Sequence, residues 1–353
     1  MKIVFVCDTL GSGGAERVIS TLTNEFFKFG HSVDIIMLSK EADKPFYELD
    51  SKTGITYLLK NREDNPGFTK KAKLLKKTII DKNPDVVISF LSYVCIYTWW
   101  ALRKTNIPYI VSERNDPHSR GKTKQYLLNK SFKRANGCVF QTYDALKWYS
   151  KIANDKSIVI YNPVNLSFKP TGVSMRKKQI LYVGRFNEQK NLFILVDAFK
   201  LFSETHPEYI LKMYGDGSLK EPIAEYIKSN KLNDKIVLLN NSKTWQKDEC
   251  DSRLFVLPSK YEGMPNVLAE ALCLGIPSVS TNCPIGGPKE LKKLFPKTLL
   301  LSEDMSVEMF AKKIEEGIKI DNSSCIIPDE LDARFIANKW LDFINKTCKN
   351  EDK

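Results

Sequence analysis

Histidine is scarce in this 353-residue chain. Three occur, at positions 31, 118 and 206, and they are too few and too scattered to suggest a histidine metal cluster. No two aspartates stand two positions apart, so the Asp-x-Asp spacing that can hold a divalent cation beside a diphosphate is missing. Cysteine is present without pattern: residues 7, 95, 138, 250, 273, 283, 325 and 348 include no C-x-x-C and sit mostly in apolar runs. That usage favours reduced core thiols and a cytosolic compartment. Low-complexity segments and short repeats are absent. The apolar stretch at the N-terminus reaches Asp8 after five positions, too short for a secretory core, so the protein is not expected to be secreted. The one long uncharged run, Val86 to Leu102, has 17 residues and is diluted by Ser89, Ser92 and Thr98. A buried strand followed by a helix explains it more simply than a membrane span.

What is present suits two domains, each large enough to bury its own core, and an apolar fraction of 42% is globular. The formal charge of +12 is uneven, because residues 1–170 hold 27 Lys and Arg against 16 Asp and Glu, while residues 171–353 hold 27 against 26. An anionic partner is therefore expected for the first half.

Along the chain, strand-like runs alternate with helical ones. Lys2–Cys7, Val33–Leu38, Ile55–Leu59, Asp85–Leu91, Tyr109–Ser112 and Gly137–Gln141 read as strands, with helical stretches such as Ala15–Phe29, Thr69–Asp81 and Lys122–Arg134 between them. A second run follows, through Gln179–Gly184, Tyr209–Tyr214, Lys235–Leu239, Arg253–Leu257, Pro277–Ser280 and Thr298–Leu301. The alternation predicts an α/β fold of two doubly wound, Rossmann-like domains, 1–165 and 166–353, joined near the proline-rich segment Tyr161–Gly172. An amphipathic helix at about 331–347, with Phe335, Ile336, Trp340, Leu341 and Ile344 on one side, is placed to pack back on the first domain.

One segment concentrates chemistry. Glu262-Gly-Met-Pro-Asn-Val-Leu-Ala-Glu270 follows the apolar run Arg253–Ser259, so Glu262 lies just past the carboxyl end of a strand. Gly263 allows close approach of a ligand, and Pro265 fits a first helical turn that Asn266 continues. The free N–H groups of that turn face any anion placed there, with Glu270 one turn further on the same side. One acid can then meet a sugar and the other a ribose, with a diphosphate between them. The plainer reading makes Glu262 a helix-start acid and Glu270 a solvated one. Gly184-Arg-Phe-Asn-Glu-Gln-Lys-Asn191 adds Arg185 and Lys190 five residues apart across a strand-to-helix loop, where both can reach one diphosphate or serve as surface charge.

These segments, with Gly215-Asp-Gly217 and Gly11-Ser-Gly-Gly-Ala-Glu-Arg17, resemble retaining glycosyltransferases of family 4, which have the GT-B architecture. The resemblance spans nearly the whole chain. It implies that Glu262 contacts donor-sugar hydroxyls near the reacting centre and Glu270 the ribose. Gly184, Gly215, Gly263, Met264, Asn266 and Val267 would surround sugar and phosphate. Arg185 and Lys190 would neutralise the leaving diphosphate without metal or cofactor, the nucleotide sugar, most simply a UDP-sugar, being a substrate. Retention of configuration is implied by the resemblance alone, with front-face attack in a tight ion pair preferred to Glu262 as a covalent nucleophile.

In the N-terminal half, Gly13, Gly14 and Arg17 are candidates for an acceptor or donor phosphate. A nicotinamide cofactor would seek Asp34 at the end of its strand, but Asp34 falls near the start. Many family members carry a histidine after the fifth strand. Here Glu113 or Arg114 takes that place and His118 comes later, and Ser-Glu-Arg-Asn resembles the subset that builds bacterial surface polysaccharides. Arg114 is then a candidate for an acceptor phosphate.

The stretch Lys70–Ile80 sets Leu74, Leu75, Ile79 and Ile80 among five lysines, either as a membrane-surface helix or as one packed on the sheet. The Trp99-Trp100 pair and Lys122–Arg134 add aromatic and basic surface. The expected partners are thus a nucleotide sugar, a polyprenyl-diphosphate-linked acceptor and the anionic inner face of the cell membrane. A protein or teichoic-acid-type acceptor and a non-catalytic nucleotide-sugar-binding regulator stand as alternatives. A nucleic-acid partner would explain the charge, but no motif for it is present.

Overall fold

The computed structural model describes all residues except 41–43, 61–63, 65, 115–116, 118–120, 167–174, 322–323 and 350–353. His118 and the connection from 167 to 172 lie outside the described residues. The chain divides into two compact units, Met1–Pro163 with Asp329–Lys353, and Val164–Pro328. The second unit therefore ends at Pro328 rather than at the C-terminus.

The first unit is built on a parallel sheet of β1 (Lys2–Cys7), β2 (Ser32–Met37), β3 (Gly54–Tyr57), β4 (Val86–Phe90), β5 (Tyr109–Ser112), β6 (Gly137–Phe140) and β7 (Ser157–Val159), in the order β3-β2-β1-β4-β5-β6-β7. Strands β4, β5 and β6 are buried throughout, as the unbroken apolar runs of a two-sided sheet require. Strand β7 was not expected. Three residues carry no readable period, and the strand exists through its register with β6, Cys138 opposite Ser157.

Helices α1 (Gly14–Lys28), α2 (Phe68–Lys82), α3 (Ser92–Leu102), α4 (Lys122–Arg134) and α5 (Tyr143–Ala153) connect these strands. The uncharged run 86–102 resolves into β4 and α3, and among the described residues no helix is long and apolar enough to cross a membrane. Right-handed crossovers put α2 to α5 on one face, where each packs on the next. The other face holds α1 and the C-terminal helix Ala333–Lys349, which pack together. Ile336, Trp340 and Ile344 of that helix are buried, and the Trp340 ring stacks on Phe90 at 5.8 Å. Phe335 is exposed instead of sharing their side: it precedes Ile336 by one residue, about 100° round the helix, and Lys339 lies over its ring.

The charge of the first half is concentrated on the α2–α5 face. Helices α2, α4 and α5 carry thirteen Lys or Arg against two Asp. Ala72, Leu75 and Ile79 form the buried side of α2, while Phe68, Leu74 and Ile80 stay exposed among its lysines.

The second unit has a parallel sheet of β8 (Lys177–Val183), β9 (Ile210–Tyr214), β10 (Ile236–Leu239), β11 (Ser252–Leu257), β12 (Ser278–Thr281) and β13 (Leu299–Ser302), ordered β10-β9-β8-β11-β12-β13. Around it lie α6 (Leu192–Thr205), α7 (Lys220–Ser229), α8 (Trp245–Asp248), α9 (Asn266–Cys273), α10 (Gly287–Leu294) and α11 (Val307–Gly317). The chain winds outward from β8 to β10, then returns to start again at β11. The β8/β11 boundary is therefore the switch point, where loops at the carboxyl ends of the strands open a crevice. None of the eight cysteines is joined in a disulfide, and Cys7, Cys95, Cys138, Cys273 and Cys283 are buried.

Candidate functional site

At the switch point of the second unit, four loops meet backbone to backbone. The loop after β8 lies against the loop after β9: Phe186 N donates to Asp216 O at 2.8 Å and Leu219 N to Phe186 O at 2.9 Å. A Cβ on Gly215 would run into Gly184 O and the Phe186 ring, so only glycine permits this approach. The β8 loop is also tied to the loop after β11, with Lys260 N donating to Gln189 O at 2.8 Å and Gln189 Nε2 to Tyr261 O at 2.9 Å. The fourth loop, Asn282–Gly286 after β12, leads into α10. There Gly287 packs on the backbone of Gly263, leaving no room for a side chain. Ile285 and Gly286 take consecutive left-handed conformations, φ 70° and 73°. For a β-branched residue that is a strained geometry, held by its surroundings.

Within this frame the expected donor residues come together. Lys190 Nζ donates to Glu262 Oε1 at 2.5 Å, and both side chains are nearly buried. Residues 72 positions apart in sequence thus form one ion pair. Arg185 is exposed on the same loop, and the buried Tyr182 hydroxyl holds its carbonyl at 3.0 Å. The Glu262 charge is felt by its neighbours. Cys283 is pushed up to about 12, by burial first and then by Glu262, and the Tyr182 hydroxyl is raised by the same two causes in the same order. Met264 and Asn266 are buried and Val267 half-buried at the start of α9. Glu270, one turn on, is 1% exposed rather than solvated, and Gln246 Nε2 donates to its Oε2 at 2.9 Å. The two acids therefore do not decorate a surface helix. Among the described residues no group of three or more His, Cys, Asp or Glu gathers as a metal site.

In the first unit, Gly13 caps α1 and Gly14 opens it, with the Glu16 carboxylate folded back over Gly13. Arg17 lies over the Tyr47 ring, 5.6 Å from its centroid, while the Tyr47 hydroxyl donates to Ser12 O. Glu113 and Arg114 stand just past β5 and are both buried. Ser92 Oγ donates to Glu113 Oε2 at 3.0 Å, and the Arg114 N–H to Oε1 at 2.8 Å. The Arg114 guanidinium lies 4.3 Å from the Phe90 ring centroid and gives Nη1 to Asn162, while its Nε and Nη2 find no partner among the described residues. Burial lowers its pKa to about 9. Asp34 serves structure, accepting from Lys82 Nζ at 2.8 Å.

Sequence reasoning missed Gly287, Tyr182 and Gln246. Gly286-Gly287-Pro288 after a strand was a readable turn signal. Nothing local marked the other two.

Residues 12–168 match the family model Glycosyltransferase Family 4, and residues 164–339 match Glycosyl transferases group 1. The chain is 28% identical over 331 residues, 91% of this chain and 90% of the other, to the Campylobacter jejuni GalNAc-alpha-(1->4)-GalNAc-alpha-(1->3)-diNAcBac-PP-undecaprenol alpha-1,4-N-acetyl-D-galactosaminyltransferase. It is 27% identical to the lipopolysaccharide 1,6-galactosyltransferase of Escherichia coli K12, over 98% of this chain and 97% of that one. Among solved structures, Anabaena HepE in complex with UDP and glucose matches with a TM-score of 0.77 at 16% identity over 100% of both chains, a likeness of fold. Two parallel-sheet units bearing these two matches, which together run from residue 12 to 339, make the chain a family 4 glycosyltransferase of the GT-B fold.

Proposed function

We propose that this glycosyltransferase acts in bacterial surface polysaccharide or lipopolysaccharide synthesis, moving a sugar from a UDP-sugar to a lipid-linked glycan with retention and without metal. The observation that carries the donor half of this reading is the buried Lys190–Glu262 pair at the β8/β11 switch point. Departure of the nucleotide leaves a dianionic diphosphate, and Arg185 and Lys190 supply positive charge where that charge develops. The backbone around Gly184, Gly215, Gly263, Met264, Asn266 and Val267 closes on the phosphates and sugar, and Glu270 takes the ribose. Glu262 faces the hydroxyls near the anomeric carbon. The C1–O bond breaks toward the diphosphate, whose oxygen takes the acceptor hydroxyl proton while that hydroxyl bonds to C1 on the same face.

Acceptor recognition falls to the first unit, where Gly13, Gly14, Arg17, Glu113 and Arg114 are the candidates. The unpartnered Nε and Nη2 of Arg114 are donors suited to a phosphate. A polyprenyl diphosphate acceptor is supported by the undecaprenol acceptor in the Campylobacter relative's name, and a uridine nucleotide by the UDP in the Anabaena complex. The test is release of UDP from a panel of UDP-sugars by purified protein. EDTA should leave the rate within about twofold, since the diphosphate is neutralised by side chains; a rate abolished by EDTA and restored by a divalent cation overturns the metal-free mechanism.

The basic α2–α5 face is the surface assigned to the inner membrane leaflet. There a shallow cavity of about 200 Å³ is lined by Lys73, Lys76, Arg103, Lys104 and Trp100. Arg103 stacks on Trp100 at 3.7 Å, and exposed Phe68, Leu74 and Ile80 supply apolar contact. Sedimentation with anionic vesicles should exceed that with neutral ones and fall with salt and in K73E/K76E. Equal or absent binding removes the assignment.

A further inference from the structure

We infer that Gln246 is the positioning residue of the nucleoside end of the donor site, setting the Glu270 carboxylate so that the enzyme selects a ribose over a deoxyribose. The inference rests on the reading of Glu270 as the ribose ligand.

Helix α8 has four residues, too short to hold its own shape in isolation. Two buried side chains anchor it. Trp245 is buried and its ring meets Phe255 of β11 at 6.4 Å. Glu249, just past the helix, accepts from Gln179 Nε2 at 2.5 Å, Lys212 Nζ at 2.9 Å and the Tyr214 hydroxyl at 2.6 Å, spanning β8 and β9. Gln246, 2% exposed between these anchors, points the other way, to Glu270 on α9. The anchors leave the amide little freedom, so its bond to Oε2 restrains that end of the carboxylate.

The donor's chemistry matters as much as its place. An amide N–H is neutral, so it orients the carboxylate without cancelling its charge, as a lysine would. A buried carboxylate held in one orientation is a strong acceptor for a pair of hydroxyls. A nucleoside lacking those hydroxyls leaves it unmatched, which is how a polar site rejects an analogue.

The test is calorimetric binding of UDP and 2′,3′-dideoxy-UDP to wild type, Q246L, Q246E and E270Q. Wild type should favour UDP tenfold or more. Q246L should weaken UDP by about tenfold and leave the dideoxy nucleotide unchanged, bringing the ratio toward one; a purely structural role would weaken both alike and overturn the inference. Q246E sets a second carboxylate against Glu270, and two acids at that range share a proton. While the pair holds the proton the carboxyl still donates, so the ratio of Q246E to wild-type UDP affinity should fall as pH rises and both acids ionise, a ratio in which the ionisation of UDP's own terminal phosphate cancels. A pH-independent ratio counts against the inference. If E270Q abolishes the preference and Q246L retains it, the positioning role alone fails. If wild type shows no preference, or E270Q keeps it, the ribose reading of Glu270 fails and takes this inference with it.

Discussion

K190M is expected to lower sugar transfer by about a thousandfold and to destabilise the second unit in the same stroke. The rate effect follows from removing one preorganised positive group from the site of developing charge, an interaction typically worth a factor of roughly 10²–10³. The stability effect has a different origin. Lys190 and Glu262 are both nearly buried and bonded at 2.5 Å, so deleting the cation leaves a carboxylate in the interior without its partner. Breaking a buried pair costs about 3–5 kcal/mol, mostly the desolvation of the group left behind. E262Q strands the ammonium and should destabilise as well.

The double variant K190M/E262Q separates the two effects. With neither charge present the desolvation penalty is gone, so melting temperature should return toward wild type while transfer stays abolished. Transfer rates by nucleotide release and melting by calorimetry read both. A double variant as unstable as either single one would show that the pair contributes through packing, and a transfer rate in K190M within threefold of wild type would reject Lys190 as the diphosphate cation.

G287A should be the most damaging single-methyl change in the second unit. A Cβ there collides with the carbonyl of Gly263, and the obstacle is backbone rather than a flexible side chain. Relief requires the β12–α10 loop to move away from the β11–α9 loop, and the strained Ile285–Gly286 turn has little room to give. Overpacking of this kind costs about 1–3 kcal/mol. At roughly 2–4 °C per kcal/mol for a unit of this size, the melting temperature should fall by roughly 2–12 °C. Because Gly263 sits between Glu262 and the start of α9, UDP affinity should fall tenfold or more. G121A is the control, since a Cβ there meets nothing within 4 Å. Native-like melting and UDP binding in G287A would mean that the two loops are not locked together.

The amino-acid sequence by itself determined the alternation of strands and helices, the presence of two such runs, and the loops that carry Arg185, Lys190, Glu262 and Glu270. Each of these is written in a short window: an apolar run bounded by turn residues, a glycine where backbone must approach closely, or an acid one turn along a helix. Such windows encode local geometry, and local geometry is what they predict. Strand β7 shows the limit, being too short to have a period and existing only through its partner.

Tertiary structure decided the rest. Strand order set β8 beside β11, which turned Lys190 and Glu262 from a loop cation and a helix-start acid into one ion pair. It brought Gly287 onto Gly263 and Gln246 onto Glu270, and closed Arg114 in against Phe90. It also gathered α2, α4 and α5 onto one face, making a single surface of basic stretches that lie apart along the chain. These contacts join residues tens to hundreds of positions apart. Their partners are chosen by the winding of the chain and the register of its strands, quantities that no local window contains.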